Sequence, residues 1–503
     1  MSLIGDYRNG EVKKFPGKKY VKAVLEPTYD VAKRYLIGPM LNINKAHLVM
    51  LKEKGIISSK DAAAIARAVE EIDIEAISRS SYDEKYEDLF FVVEGLIIEK
   101  AGQVGGNLHI ARSRNDMGVT MYRMVIRELL LKFIASVQML KKSLLFMADK
   151  HKESVMLAYT HTQQAQPTTL GHYLIAVYDQ LSRDEARLRA AYRTVNKSPM
   201  GAAAITTSGF NIDRQMVAEL LGFDGIIENS YDAIAGGDYL TETASAVKLT
   251  CVHTGRFVHD LLLWATQEFD FVRIADPYVQ ISSIMPQKRN PVGVEHVRSL
   301  LSAVTATAEA AIYMQHNTPF GDIVDTEDDI QLFLWEAIEK GSLIFSLLAD
   351  IVVTADFNTS KMEAIAKESF AAVTELADVL VREKGIPFRI AHHLVSNMVR
   401  EALSNGLKPS DVSAAMLDQV SIKETGTFVG ISEETFRKAL DPLHFVKVRK
   451  VTGGPALCEV ERMLKERKET LFADEKWLKD ANNKLDAAKQ MLDEKFRVLK
   501  GGI

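Results

Sequence analysis

The segment Ser282-Ser283-Ile284-Met285-Pro286-Gln287-Lys288-Arg289-Asn290-Pro291 places two hydroxyls, a lysine and an amide around two prolines. Proline disfavours regular structure at its own position and at the residue before it, so the segment reads as a loop. A polar loop of this kind closes over a small molecule and excludes water. A second island, Leu108-His109-Ile110-Ala111-Arg112-Ser113-Arg114-Asn115-Asp116, follows Gly105-Gly106. Its arginine forks, hydroxyl and amide are donors suited to carboxylates. Two further islands are Tyr159-Thr160-His161-Thr162-Gln163-Gln164-Ala165-Gln166-Pro167 and Asn229-Ser230-Tyr231-Asp232. Each also has a plain structural reading. The serine-lysine loop would be solvated surface, and Arg112 and Arg114 would pair with carboxylates at a subunit contact. His161 would be a satisfied structural histidine and Asp232 a helix cap.

Helical periodicity dominates the elements that must position these islands. Ile126, Leu130, Phe133, Val137, Leu140 and Leu144 form a four-three apolar stripe suited to a bundle seam. Further long helices are expected over about Asp238–Phe269, from Pro291 to about Gln315, and over about Ile330–Ala355. Strands and helices do not alternate regularly, which argues against a Rossmann or barrel fold. The expected organisation is an N-terminal helical region over 1–116, a long-helix region over 117–365, and a C-terminal helical region over 366–503. Leu471, Leu478, Leu485, Leu492 and Leu499 recur at heptad spacing. A leucine zipper is one reading. Asp474 or Glu475 and Lys495 at the other seam positions favour an amphipathic helix, over about 471–500, packed on its own protein.

The chain has 503 residues, 47% hydrophobic and 26% charged, as in a globular protein of more than one domain. A net charge of −5 gives no electrostatic reason to expect nucleic acid or acidic membranes. Two distant cysteines, Cys251 and Cys458, exclude a disulfide framework or cysteine-rich metal site and favour a reducing compartment. Met1 to Tyr20 lacks a long apolar run; Lys13, Lys14, Lys18 and Lys19 flank a proline and a glycine, as in an extended arm. No stretch approaches the roughly 20 apolar residues of a membrane span. A cytoplasmic protein without nucleic-acid or membrane partners is expected.

The order of the islands resembles the argininosuccinate lyase family of the fumarase/aspartase superfamily, over about Glu87 to Thr470. Ser282 to Pro291 matches the superfamily loop Gly-Ser-Ser-X-Met-Pro-X-Lys-X-Asn-Pro. Arg-Ser-Arg-Asn-Asp at 112–116 and Tyr-Thr-His-X-Gln-X-Ala-Gln-Pro at 159–167 match the subfamily. So do Pro-Phe-Arg-X-Ala-His at 387–392 and Gly-Gly-X-Ala at 453–456.

The resemblance implies a three-domain, mainly α fold whose central helices form a twenty-helix core in a homotetramer, with each active site shared by three subunits. It implies β-elimination of fumarate from an N-substituted aspartate such as argininosuccinate, through an aci-carboxylate, with no metal or organic cofactor. Ser282 takes the position of the base, and Lys288 with backbone N–H groups would stabilise its ionised form. Local chemistry does not separate Ser282 from Ser283; the resemblance does. His161 pairs with Glu295 as proton donor to the leaving nitrogen. By the same resemblance Ser113, Asn115, Thr160 and Asn290 would hold the fumarate half, Arg112 and Arg114 would supply carboxylate donors, and Gln163 would be a further substrate-binding residue.

The departures gather on the amine side. Phenylalanine stands at Phe90 where the family has histidine, in Glu87-Asp88-Leu89-Phe90. The family's tyrosine, glutamine and second lysine become Asp322, Glu327 and Ile330. Gly236-Gly237-Asp238-Tyr239 lacks an arginine, and Ile281 replaces the glycine that opens the loop. Asp322 and Glu327 imply a more cationic leaving group, or one without the amino-acid carboxylate, as in the ethylenediamine-disuccinate lyase branch. A catalytically weak crystallin-like protein is the other alternative, and retention of Ser282, Lys288, Asn290, Thr160, His161 and Glu295 speaks against it.

Overall fold

The computed structural model describes residues 15–501. Lys13 and Lys14 of the expected arm lie outside them. From Lys18 the arm is helical rather than extended: Lys18–Tyr20 continues through a π-helical Val21–Leu25 into a Glu26–Tyr35 helix.

The long helices are Arg114–Lys150, Leu170–Val195, Asp238–Trp264, Val292–Gln315 and Asp328–Thr354. Arg114–Lys150 packs between Leu170–Val195 and Asp328–Thr354. Val292–Gln315 packs on Asp328–Thr354, and Asp238–Trp264 closes the ring against Val292–Gln315 and Leu170–Val195. The Ile126–Leu144 stripe is wholly buried at this centre, each of its six residues at 0% exposure. Periodicity therefore reported the seam correctly, because only one face of a helix can meet its neighbours. The second long helix stops at Trp264 rather than Phe269, where the chain turns through Asp270 at φ 49°.

A smaller apolar cluster, including Leu376, Leu380, Leu394, Met398, Leu417 and Phe436, forms separately among C-terminal helices. The last helix, Leu457–Lys500, does not join it. Its Val460, Leu464, Leu471, Leu492 and Leu499 pack into the main cluster instead. Asp474 explains why a charge sits in that seam: Lys141 Nζ lies 2.6 Å from both Glu185 and Asp474 carboxylate oxygens. Arg189 adds a second cation to Asp474 at 3.0 Å and stacks on Trp477. The leucine repeat is thus an intramolecular face, longer toward its N-terminus than the expected 471–500.

Among the described residues no helix is long and apolar enough to cross a membrane. No group of three or more His, Cys, Asp or Glu among them is arranged to hold a metal ion. Cys251 is buried, Cys458 exposed, and both are free.

Candidate active site

The Ser282 loop rises from a short antiparallel ladder in which Gln280 faces Asn290 and Ile281 faces Arg289. The ladder fixes both ends of the 282–288 loop. Ile281 lies in this extended pair, outside the positive-φ residues, so the position has no backbone need for glycine. Ser282 Oγ accepts the amide N–H of Met285 at 3.0 Å and of Ile284 at 3.3 Å. Ser283 has no such donors. Two convergent N–H dipoles favour negative charge on Ser282 Oγ. The Lys288 side chain is exposed, while its N–H donates to the Met285 carbonyl at 3.0 Å. Asn290 ends the ladder, Pro291 caps the Val292–Gln315 helix, and Glu295 lies exposed in that helix's first turn.

The second island starts the Arg114–Lys150 helix. Ser113 is its N-cap, and Asp116 returns the capping interaction by accepting the Ser113 N–H at 2.9 Å. The other Asp116 oxygen accepts the N–H groups of Gly201 at 2.9 Å and Ala203 at 3.0 Å. Asp116 is fully buried, and that burial pushes its carboxyl up to about 6 despite the amide donors. Ser113 Oγ lies 2.7 Å from Asn115 Oδ1, and the Asn115 amide donates to Asp322.

Both arginines differ from the expected carboxylate anchors. Arg112 points inward at 7% exposure and donates to Asn44 Oδ1 at 2.7 Å. Desolvation lowers it to about 10, and its Nε has no partner. Arg114 is held by Asp88 at 2.8 Å and Glu87 at 3.1 Å and lies over the Phe91 ring. Of the carboxylate pairing in the plain structural reading, only that of Arg114 occurs, and it lies inside one chain rather than at a subunit contact. Asp88 also caps the Leu89–Ala101 helix. Phe90, the histidine replacement, is buried against Phe91 and His109.

The third island is a β-hairpin. Val155–Thr160 pairs antiparallel with Gln163–Thr169, and Thr160 faces Gln163. His161 and Thr162 form its tip at φ 53° and 61°. Such two-residue turns usually carry Asn-Gly or Asp-Gly, so His-Thr concealed this one. Thr160, His161 and Gln163 are all exposed at the tip. His172 braces the hairpin base: its ring nitrogens lie 2.9 Å from Thr168 Oγ1 and 3.0 Å from the Gly453 carbonyl. The Gly453–Ala456 motif thereby gains a supporting role. The Phe388–Ser404 helix begins with the Pro387–His392 motif, whose Phe388 ring is exposed.

The fourth island caps a short Ser230–Ala235 helix, and Asn229 rather than Asp232 is the cap. Tyr231 stacks on Phe320, with ring centroids 5.8 Å apart and an interplanar angle of 23°. Gly237, which lacks the family arginine, faces Gln315, whose side chain occupies the space any larger residue would need.

Glu327 lies between Asp322 and the Asp328–Thr354 helix. Burial first, then its hydrogen bond to Asp322, pushes the Glu327 carboxyl up to about 8. Ile330 is fully buried. One chain thus joins Ser113–Asn115 to Asp322 and Glu327. Among the described residues of one chain no hydrogen bond or ion pair joins this cluster, the His161 tip and the Ser282 loop, nor His161 to Glu295. Asp116 and Gln315 were missed as support residues. The capping spacing Ser113-X-X-Asp116 was a readable signal for the first; no local signal marked the second.

The helical ring and the Ser282 loop define a lyase of the fumarase/aspartase superfamily. A lyase family model matches residues 38–306, and an argininosuccinate lyase C-terminal model matches 370–447. The chain belongs to the argininosuccinate lyase family. It is 40% identical to argininosuccinate lyase 2 of Agrobacterium fabrum, covering 98% of each chain. It is 35% identical to argininosuccinate lyase 1 of Shouchella clausii, covering 96% of this chain and 97% of that one. A crystal structure of EDDS lyase with formate superposes with a TM-score of 0.87 at 29% identity, covering 94% of each chain.

Proposed function

We propose that the protein is a carbon–nitrogen lyase catalysing reversible β-elimination of fumarate from an N-substituted aspartate such as argininosuccinate. The observation that carries this reading is the pair of amide donors on Ser282 Oγ, within a loop whose stem holds Asn290. Ionised Ser282 takes the proton from the carbon next to the carboxylate, and charge spreads onto that carboxylate. The carbon–nitrogen bond then breaks, a double bond forms, and the nitrogen leaves protonated. Lys288 adds positive charge near the loop. Ser113, Asn115, Thr160 and Asn290 hold the fumarate half. His161, paired with Glu295 across subunits, delivers the proton directly or through water.

A homotetramer supports that arrangement, since His161, Glu295 and Ser282 do not meet in one chain. Five long helices per chain, with exposed Phe146, Leu343 and Val353 on their outer faces, suit a twenty-helix core. The separate apolar clusters support a boundary near residue 366. We place the enzyme in the cytoplasm.

A second reading concerns the amine. Asp322 and Glu327 favour an N-substituted aspartate whose amine end is cationic and has no carboxylate, of the EDDS lyase type. Fumarate absorbance would be followed with argininosuccinate and N-succinyl diamines, forward and in reverse. Release from argininosuccinate supports the first reading, release from diamine substrates alone the second. Turnover of malate only would replace both with a fumarase.

A further inference from the structure

Tyr231 and Phe320 are exposed aromatic rings, at 46% and 67%, yet they are stacked and ordered by a hydrogen bond from Tyr231 Oη to the Phe320 carbonyl at 3.1 Å. Phe320 stands two residues before Asp322, whose carboxylate receives the Asn115 amide. The rings therefore lie beside the acidic end of the candidate site. Aromatic faces exposed next to carboxylates are suited to the apolar body and charged end of an organic cation. Gln315 Oε1 is buried without a hydrogen-bond partner, beside the Gly237 backbone that the fourth island's short helix leads into. A buried orphan acceptor is a cost that a donor from a bound molecule removes.

We propose that the stacked Tyr231 and Phe320 rings form the amine-side wall of the active site and, with Asp322 and Glu327, select a leaving amine with an extended apolar or aromatic body ending in a cation. This rests on the elimination proposed above and names the substrate class for its amine half. The wall contributes mainly to holding the amine, while the fumarate half is held by other residues. Loss of a ring should therefore change recognition of the amine and leave recognition of fumarate alone. The raised Glu327 carboxyl is consistent with an acidic pair that becomes fully ionised only when a cation is supplied.

The test runs the reaction in reverse, joining fumarate to arginine, ethylenediamine or p-xylylenediamine, with the wild-type tetramer and with Phe320→Ala and Tyr231→Leu. Wild type is expected to prefer p-xylylenediamine. Each variant should raise the KM for that amine by about tenfold, as for loss of one cation–aromatic contact, with the KM for fumarate within about twofold. Phe320 is exposed, so melting temperatures should stay near wild type. An equal rise in both KM values, or a fall in kcat alone, would mean that the rings only hold the loop and would overturn the wall. Variants indistinguishable from wild type would do the same. Failure of wild type with all three amines would overturn the elimination reading as well, so the two failures are separable.

Discussion

The Asn115 side-chain amide donates to the Asp322 carboxylate across 207 residues of sequence. The contact joins the helix start proposed to hold the fumarate half to the stretch where this chain departs from its family. Asp322→Asn keeps a group able to accept from Asn115 but removes the charge. It should lower the preference for diamine over arginine by roughly tenfold, the effect of about 1.4 kcal/mol. Paired kcat/KM values for the two amines check this, and an unchanged ratio would show that Asp322 does not read the amine.

Glu327 makes the site pH-sensitive. Its folded-state carboxyl, near 8, lies above the usual glutamate range. The associated stability is therefore fully present below the unfolded value, about 4.3, and is lost as pH rises through about 8. Glu327→Gln removes that loss. The melting temperature of the wild type should fall relative to the variant between about pH 5 and 9. A constant difference across that range would contradict the raised carboxyl.

Ser282→Ala should reduce fumarate formation at least about 100-fold, the lower end for removal of a general base, with helicity and assembly unchanged. Ser283→Ala should lose far less, because only Ser282 Oγ receives the Ile284 and Met285 amides. Near-wild-type turnover by a correctly assembled Ser282→Ala protein would remove Ser282 as the base.

Asp474→Ala leaves Lys141 buried with Glu185 as its remaining carboxylate partner. Breaking such a buried ion pair typically costs about 3 kcal/mol. The unfolding midpoint in urea should drop accordingly while the oligomer persists, since the C-terminal helix docks on its own chain. Complete dissociation without loss of subunit stability would instead restore the zipper.

Asp116→Asn places an amide NH2 against some of the three backbone N–H donors on that side chain. Lost hydrogen bonds to a buried carboxylate cost about 2 kcal/mol, so the melting temperature should fall. Release of Ser113 should also raise the KM for fumarate more than the KM for the amine. Equal effects on both would assign Asp116 to the fold alone.

Much was legible locally. The Ile126–Leu144 stripe announced a buried seam because helix geometry returns those residues to one face. The Ser113-X-X-Asp116 spacing carried a helix-start signal within one turn, although by residue type its island reads only as a set of carboxylate donors. The His161–Thr162 turn was not legible, since neither residue type advertises positive φ. Asp474 looked wrong for a packed seam because its partner, Lys141, is 333 residues away.

The sequence by itself determined the helical class, the lyase family and the Ser282 loop, because each is written in contiguous spacing. Only the tertiary structure decided that Ser282, not Ser283, receives two amide donors, that Arg112 faces inward, and that Arg114 is held by Glu87 and Asp88. It also brought Asn115 to Asp322 and Tyr231 to Phe320. Those outcomes depend on distances between segments far apart in the chain, which helix packing sets and local residue pattern does not encode.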